Sequence, residues 1–122
     1  MDISDDEFDK LISQAMDKLS PKYLERLKNV AIIYADEPSP QQRQRLKLQP
    51  HQSLYGLYEG VPLPKRGGQV PILPDKITIF KAPLLGASQN IEQLQENIKH
   101  TLWHEVAHYF GLDHGRIHEL EK

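Results

Sequence analysis

Residues 104–114 read His-Glu-Val-Ala-His-Tyr-Phe-Gly-Leu-Asp-His. This segment contains three histidines, at intervals of four and six residues. His104 and His108 are four residues apart, so on an α-helix their rings lie one turn apart on the same face. Two imidazoles in that arrangement can bind one metal ion. Gly111 can end the helix without steric cost, because glycine adopts the left-handed backbone conformation freely. His114 then approaches the metal from a third direction.

The segment also contains a carboxylate suited to catalysis. Three protein ligands leave a fourth position for water, which is typical of catalytic rather than structural zinc sites. Glu105 directly follows the first ligand, where a carboxylate can take a proton from that water and pass it to a leaving amine. The chain has no cysteine, which excludes thiolate ligands. We therefore predict a Zn2+ site at His104, His108 and His114, with Glu105 as the catalytic base of a metallopeptidase.

Several nearby side chains leave alternatives open. Asp113 is the main rival of His114 as third ligand, and it could instead orient a ligand histidine. His118 and Glu119 could also replace His114, although a solvated tail is the commoner fate of such residues. His100 lies one turn before the first ligand, either supporting the site or simply occupying the helix face.

The predicted metal ligands belong to a long helix that we expect from about Ser88 to Phe110. Its apolar stripe consists of Ile91, Leu94, Ile98, Leu102 and Val106. The histidines lie about 200° around the helix from this stripe, so one face packs on the core and the other carries the metal. Trp103 and Phe110 flank the ligand face and are expected in the core.

The rest of the chain predicts an α+β fold with helices at both ends and a small sheet between them. Capping-box spacing of Ser4 and Glu7 starts a first helix, which continues to about Leu19. A second, short helix is expected from Ser20-Pro21 to about Lys28, and residues 38–52 are expected to form an exposed loop. Strands are expected at Val30–Tyr34 and Lys76–Phe80, with a strand or ordered loop at Leu54–Gly60. The prolines between Val61 and Pro74 exclude a long helix there.

Tyr55 and Tyr58 are candidates for stabilising an oxyanion opposite the metal, although packing on the sheet is the commoner fate of such tyrosines. Arg43, Arg45 and Lys47 are either solvated loop residues or contacts for a phosphate or RNA.

The composition of the chain predicts one soluble domain. A length of 122 residues suits a single domain over 1–122. The net charge of −2 argues against a nucleic-acid or anionic-membrane surface. The acidic N-terminus lacks the features of a secretory signal, and no apolar run approaches the roughly 20 residues of a membrane helix. We therefore expect a cytoplasmic protein with no nucleic-acid or membrane partner.

Beyond its metal-binding segment, the chain resembles the bacterial minimal zincin-like metallopeptidase family, also described as having an MMP-like domain. The resemblance combines residues 104–111 with Leu54–Leu63, Leu73–Phe80 and the first strand. It implies a zincin-like α+β domain with the HExxH helix beneath a small mixed sheet, Zn2+ as cofactor and a peptide or protein substrate. In that family the residue at the position of His114 is often acidic. A histidine at this position resembles the third metal ligand of metzincins.

Two other functions remain open. The HExxHxxGxxH spacing also resembles the YbeY family of RNA-maturation metalloproteins, but that family typically lacks a glutamate at the position of Glu105. A metal-binding module without catalysis is the second alternative. Metzincins place a Met-containing turn after their third ligand, and the lack of a matching methionine in this sequence motivates this alternative. The only methionines here are Met1 and Met16, and the sequence ends eight residues after His114.

Overall fold

The computed structural model describes residues 1–27, 29–60 and 75–111. Five helices and three strands are assigned in these ranges. In chain order they are α1 (Asp5–Asp17), α2 (Pro21–Leu24), β1 (Val30–Ala35), α3 (Pro40–Leu46), β2 (Gly56–Glu59), β3 (Asp75–Phe80), α4 (Lys81–Gly86) and α5 (Ile91–Tyr109). The predicted α+β class is confirmed.

The sheet has the strand order β1-β3-β2. β1 runs parallel to β3, with Ile32 opposite Ile77. β2 runs antiparallel to β3, with Gly56 opposite Ile79. The sheet is therefore mixed, as predicted, and the segment expected to be a strand or an ordered loop forms the edge strand β2.

The core lies between the sheet and two helices. α1 buries Phe8, Ile12 and Ala15, and its N-cap is Ser4, whose side chain accepts a hydrogen bond from the Glu7 backbone N–H. These side chains join the predicted stripe of α5, in which Leu94, Ile98, Leu102 and Val106 are fully buried. Burying such a side chain stabilises the fold by about 1.5–3 kcal/mol, so this contact fixes α5 against the sheet.

The sequence predictions about the helices need correction in four places. Residues 38–52 are not simply a loop, because Pro40–Leu46 is helical and Ser39 and Gln42 form a capping box. Helix α4 was not predicted. The second helix is a single turn that ends at Leu24 rather than near residue 28. Helix α5 begins at Ile91 rather than near Ser88, and Ile91 is exposed rather than part of the buried stripe.

Helix α3 is held to the sheet by polar contacts around Glu59. This carboxylate accepts a hydrogen bond from Gln42 and pairs with Arg45, and the Lys76 ammonium lies 3.5 Å away. Burial alone would raise the pKa of Glu59, but the hydrogen bonds from Arg45 and Gln42 and the nearby positive charges outweigh it, so the pKa is lowered. Arg45, one of the candidate phosphate or RNA contacts, is therefore paired with Glu59 within the protein.

In the described part of the chain, no helix combines the length and apolar character needed to cross a bilayer.

Candidate metal site

The candidate site is built on the second half of α5. The N-cap of the helix is Asn90, whose side chain accepts a 2.8 Å hydrogen bond from the Gln93 backbone N–H. Its C-cap is Phe110, and Gly111 adopts the left-handed conformation with φ 73°. The predicted role of Gly111 as the helix stop is confirmed. The chain therefore leaves the helix one residue after Phe110, immediately beyond the HExxH residues.

His104 and His108 lie on one face of α5, away from the buried stripe. Both are half-buried, whereas Val106 and Ala107 between them are fully buried. Their ring centroids are 6.4 Å apart, with the rings nearly perpendicular. The structure therefore brings together two of the predicted ligands at the boundary between core and solvent.

Glu105 is almost completely buried beside this pair. It is 8% exposed, and its Oε1 lies 3.2 Å from Nδ1 of His108. The hydrogen bond to Glu105 raises the pKa of His108, partly opposed by burial of the ring. The carboxylate predicted to act as base thus belongs to the same polar cluster as the histidines.

A glycine of the edge strand makes room for this carboxylate. A Cβ at Gly56 would lie 2.7 Å from Cγ2 of Thr101 and 3.2 Å from Cγ of Glu105. A strand glycine often marks a close approach of another element, which is the sequence signal that could have identified Gly56. Because it lacks a side chain, β2 lies directly against the site face of α5.

Tyr58 lies on the same edge strand, and its hydroxyl has a defined partner. It donates a 2.5 Å hydrogen bond to Oδ2 of Asp75, a buried residue at the start of β3. The ring of Tyr58 packs edge-on against Tyr109, with 6.2 Å between centroids. These contacts give Tyr58 a packing role. Tyr55, the other oxyanion candidate, is 51% exposed.

Asp75 was not identified from the sequence as part of this region. Its carboxylate lies so close to Gly60 that a Cβ there would overlap it, and Gly60 has a positive φ of 155°. A lone aspartate at a strand start carries no sequence signal for such a contact. Asp75 anchors the end of β2 through Tyr58.

His100 extends the row of histidines by one turn. Its ring centroid lies 4.9 Å from that of His104, with a tilt of 50° between the rings. His100 is exposed, so it borders the site rather than closing it.

The remaining candidate ligands cannot be placed. His114, Asp113, His118 and Glu119 all lie outside the described residues. Within the described part of the chain, no group of three or more His, Asp or Glu side chains could hold a metal ion. The three-histidine site therefore stays a prediction, with two of its members side by side.

Comparison with known families agrees with this architecture. A sequence model of a zincin-like metallopeptidase family matches residues 27–122, most of the chain. The chain belongs to this zincin-like metallopeptidase family. Among curated protein sequences, none matches it.

Proposed function

We propose that this protein is a zinc-dependent metallopeptidase that hydrolyses peptide bonds at the α5 site. His104, His108 and His114 would hold the zinc, and Glu105 would act as general base. The observation that carries the proposal is the position of Glu105, a buried carboxylate in contact with one of two paired histidines and beside an edge strand. Membership of the zincin-like metallopeptidase family supports the same chemistry.

The two described ligands fit a zinc ion. Neutral imidazole is a preferred zinc donor, with bonds of about 2.0–2.1 Å, so two imidazoles on one tetrahedral ion have ring centroids about 5 Å apart. The rings of His104 and His108 are 6.4 Å apart. Zinc binding would therefore require the two side chains to rotate toward each other. Zinc bound in such a site lowers the pKa of its water to about 7 and polarises a substrate carbonyl.

Glu105 supplies the proton transfers. Its carboxylate accepts a proton from the attacking water and then donates it to the amine that leaves. Packing against Gly56 and Thr101 restricts the side chain, which favours a fixed position for the base. Its hydrogen bond to His108 also supports the orientation of that ring.

The edge of β2 offers a binding surface for an extended peptide. The Phe80 N–H donates to the Tyr55 carbonyl, so Tyr55 points its backbone groups toward β3. In an antiparallel pair these groups alternate in direction, so those of Gly56 and Tyr58 point away from β3. A substrate strand that pairs with the backbone groups of Gly56 would pass beside Glu105.

The test compares Glu105→Gln with Glu92→Gln, a matched change at an exposed position in the first turn of the same helix. Zinc-loaded wild-type protein and Glu92→Gln should cleave a library of quenched peptides. Glu105→Gln should lose about 10²–10⁴-fold in rate while retaining zinc, because the amide can still accept a hydrogen bond but cannot take a proton. Absence of cleavage by fully loaded wild-type protein would refute the proposal.

A second candidate function is zinc binding without catalysis. It is favoured by the contact of Glu105 with His108, because a carboxylate that only orients a ligand would make the same contact. In that case Glu105→Ala should weaken zinc binding about 10–100-fold, and no variant or wild-type protein should turn over peptides.

A further inference from the structure

A cavity of about 310 Å³ lies beside the candidate site, between the end of α1, the α2 turn and the first half of α5. Residues on its wall include Lys18, Leu19, Tyr23, Lys99, His100 and Trp103. His100 connects it to the site, because its ring is 4.9 Å from that of His104.

The inner wall of the cavity is apolar and aromatic. Leu19 and Trp103 are less than 9% exposed, so only small parts of them face the opening. The ring of Tyr23 packs edge-on against Trp103, with 4.9 Å between centroids. A wall of this kind binds the carbon atoms of a ligand and leaves polar recognition to the rim.

The rim carries positive charge from two lysines. Lys18 and Lys99 line the opening, and in the described part of the chain neither forms an ion pair. Glu96 is the one carboxylate among the lining residues, so the ammonium groups outnumber it. The Lys22 ammonium lies 5.7 Å from the Tyr23 ring centroid and adds to the positive potential. The cavity therefore favours a ligand with an anionic group.

The distance to the site matches a short stretch of peptide. Lys99 precedes Glu105 by six positions on α5, which is about 9 Å along the helix axis at 1.5 Å per residue. The two residues also lie about 120° apart around the helix, so an extended peptide that connects them along the surface needs at least about four residues at 3.3 Å each. A substrate cleaved at Glu105 could thus place a nearby group in the cavity.

Half of the residues that line this cavity precede the part of the chain that the family model matches. Lys18, Leu19 and Tyr23 precede residue 27, where the match begins. Lys99, His100 and Trp103 lie within the matched segment, so the cavity combines residues of that segment with residues that precede it.

We propose that this cavity is a specificity subsite for a carboxylate located about four residues from the scissile bond. The inference rests on the proposed peptidase function and adds a substrate class to it. The carboxylate is either an acidic side chain or the C-terminus of the peptide, and both would meet Lys18 and Lys99 at the rim.

Trp103 is the only tryptophan in the chain, so its fluorescence reports directly on the cavity. The protein used is zinc-loaded Glu105→Gln, which separates binding from turnover. Three acetylated alanine hexapeptides serve as probes, which are long enough to place a glutamate at position 5 about four residues beyond the first peptide bond. One carries an internal glutamate and a C-terminal amide, one carries glutamine at that position and an amide, and one has a free C-terminal carboxylate.

At least one carboxylate peptide should bind about fivefold more tightly than the glutamine peptide. The peptide that binds more tightly shows whether the cavity recognises an acidic side chain or the C-terminal carboxylate. Adding Lys18→Ala and Lys99→Ala should abolish the preference. The control adds Lys10→Ala and Lys47→Asn, which remove two exposed lysines elsewhere, and asparagine tolerates the left-handed backbone of Lys47. Equal binding of all three peptides, or an unchanged preference without Lys18 and Lys99, would overturn the proposal.

Hydrolysis by the wild-type protein is measured separately. If Glu105→Gln shows the carboxylate preference but wild-type protein cleaves no peptide, the cavity binds carboxylates while the peptidase function fails. In a working peptidase, kcat/KM for the preferred peptide should exceed that for the glutamine peptide by a similar factor.

Discussion

Replacing Gly56 with alanine should destabilise the protein by pushing β2 away from α5. The new Cβ would lie 2.7 Å from Cγ2 of Thr101 and 3.2 Å from Cγ of Glu105, and carbon atoms do not approach to 2.7 Å without a shift. Overpacking of this kind costs about 1–3 kcal/mol. Alanine is intrinsically more favourable than glycine within a strand by about 0.5–1 kcal/mol, so the expected net loss is about 0–2.5 kcal/mol.

Gly86→Ala is the matched control for this change. A Cβ at Gly86 would have no heavy atom within 4 Å, and the residue ends α4 without a positive φ. This variant should be unchanged or more stable by up to about 1 kcal/mol. The difference in free energy of unfolding between the two variants, measured in urea, therefore isolates the steric cost at Gly56.

A second substitution tests the cause directly. Thr101→Ser removes Cγ2, the atom nearest to the added Cβ, so it should restore most of the stability that Gly56→Ala loses. Gly56→Ala should also lower the peptidase rate, because Glu105 must move. Equal stabilities of Gly56→Ala and Gly86→Ala, or no coupling with Thr101→Ser, would refute the close packing of β2 on the site helix.

Three further substitutions test other contacts. Asn90→Ala removes the N-cap of α5 and should cost about 1 kcal/mol in urea unfolding, and an unchanged midpoint would contradict the cap. Tyr58→Phe removes the hydroxyl that donates a hydrogen bond to the buried Asp75 carboxylate, so it should lower the free energy of unfolding by about 1–3 kcal/mol. A neutral effect would show that water or another group replaces the hydroxyl. Glu59→Gln should destabilise at pH 7, because the folded-state pKa of Glu59 is lowered. That contribution is present above the unfolded pKa of about 4.5 and is lost as the pH falls through the folded-state pKa, so the unfolding curves of the two proteins should differ less at pH 3 than at pH 7. Equal separation at both pH values would rule out the carboxylate charge as the cause.

Hydrophobic periodicity was sufficient to predict the two helices that form the core. In α5, Leu94, Ile98, Leu102 and Val106 recur at helical spacing and are all buried. Such a pattern has one low-energy solution, in which the stripe faces the sheet. The stop at Gly111 followed from backbone sterics alone.

Helix α3 shows why other parts could not be predicted in the same way. Its one large apolar residue is Leu46, which is 39% exposed, so no stripe marks it as a helix. It is stabilised by the Ser39 and Gln42 capping box and by contacts to Glu59, which is distant in sequence.

The site was predictable where it depends on helix geometry and not where it depends on tertiary contacts. The spacing of His104 and His108 places them on one face of any helix. The approach of Gly56 to Glu105 depends on how the edge strand is positioned against α5. That position is a property of the sheet as a whole, which local sequence patterns do not encode.

The central claim is that the histidines of α5 bind zinc, and the zinc content of purified protein tests it most directly. After zinc loading and dialysis, wild-type protein and the control His51→Ala should each retain about one zinc per chain. His51 lies in an exposed loop away from α5. His108→Ala should retain almost none, because two remaining ligands hold zinc weakly. Full zinc retention by His108→Ala, or none by loaded wild-type protein, would contradict the account.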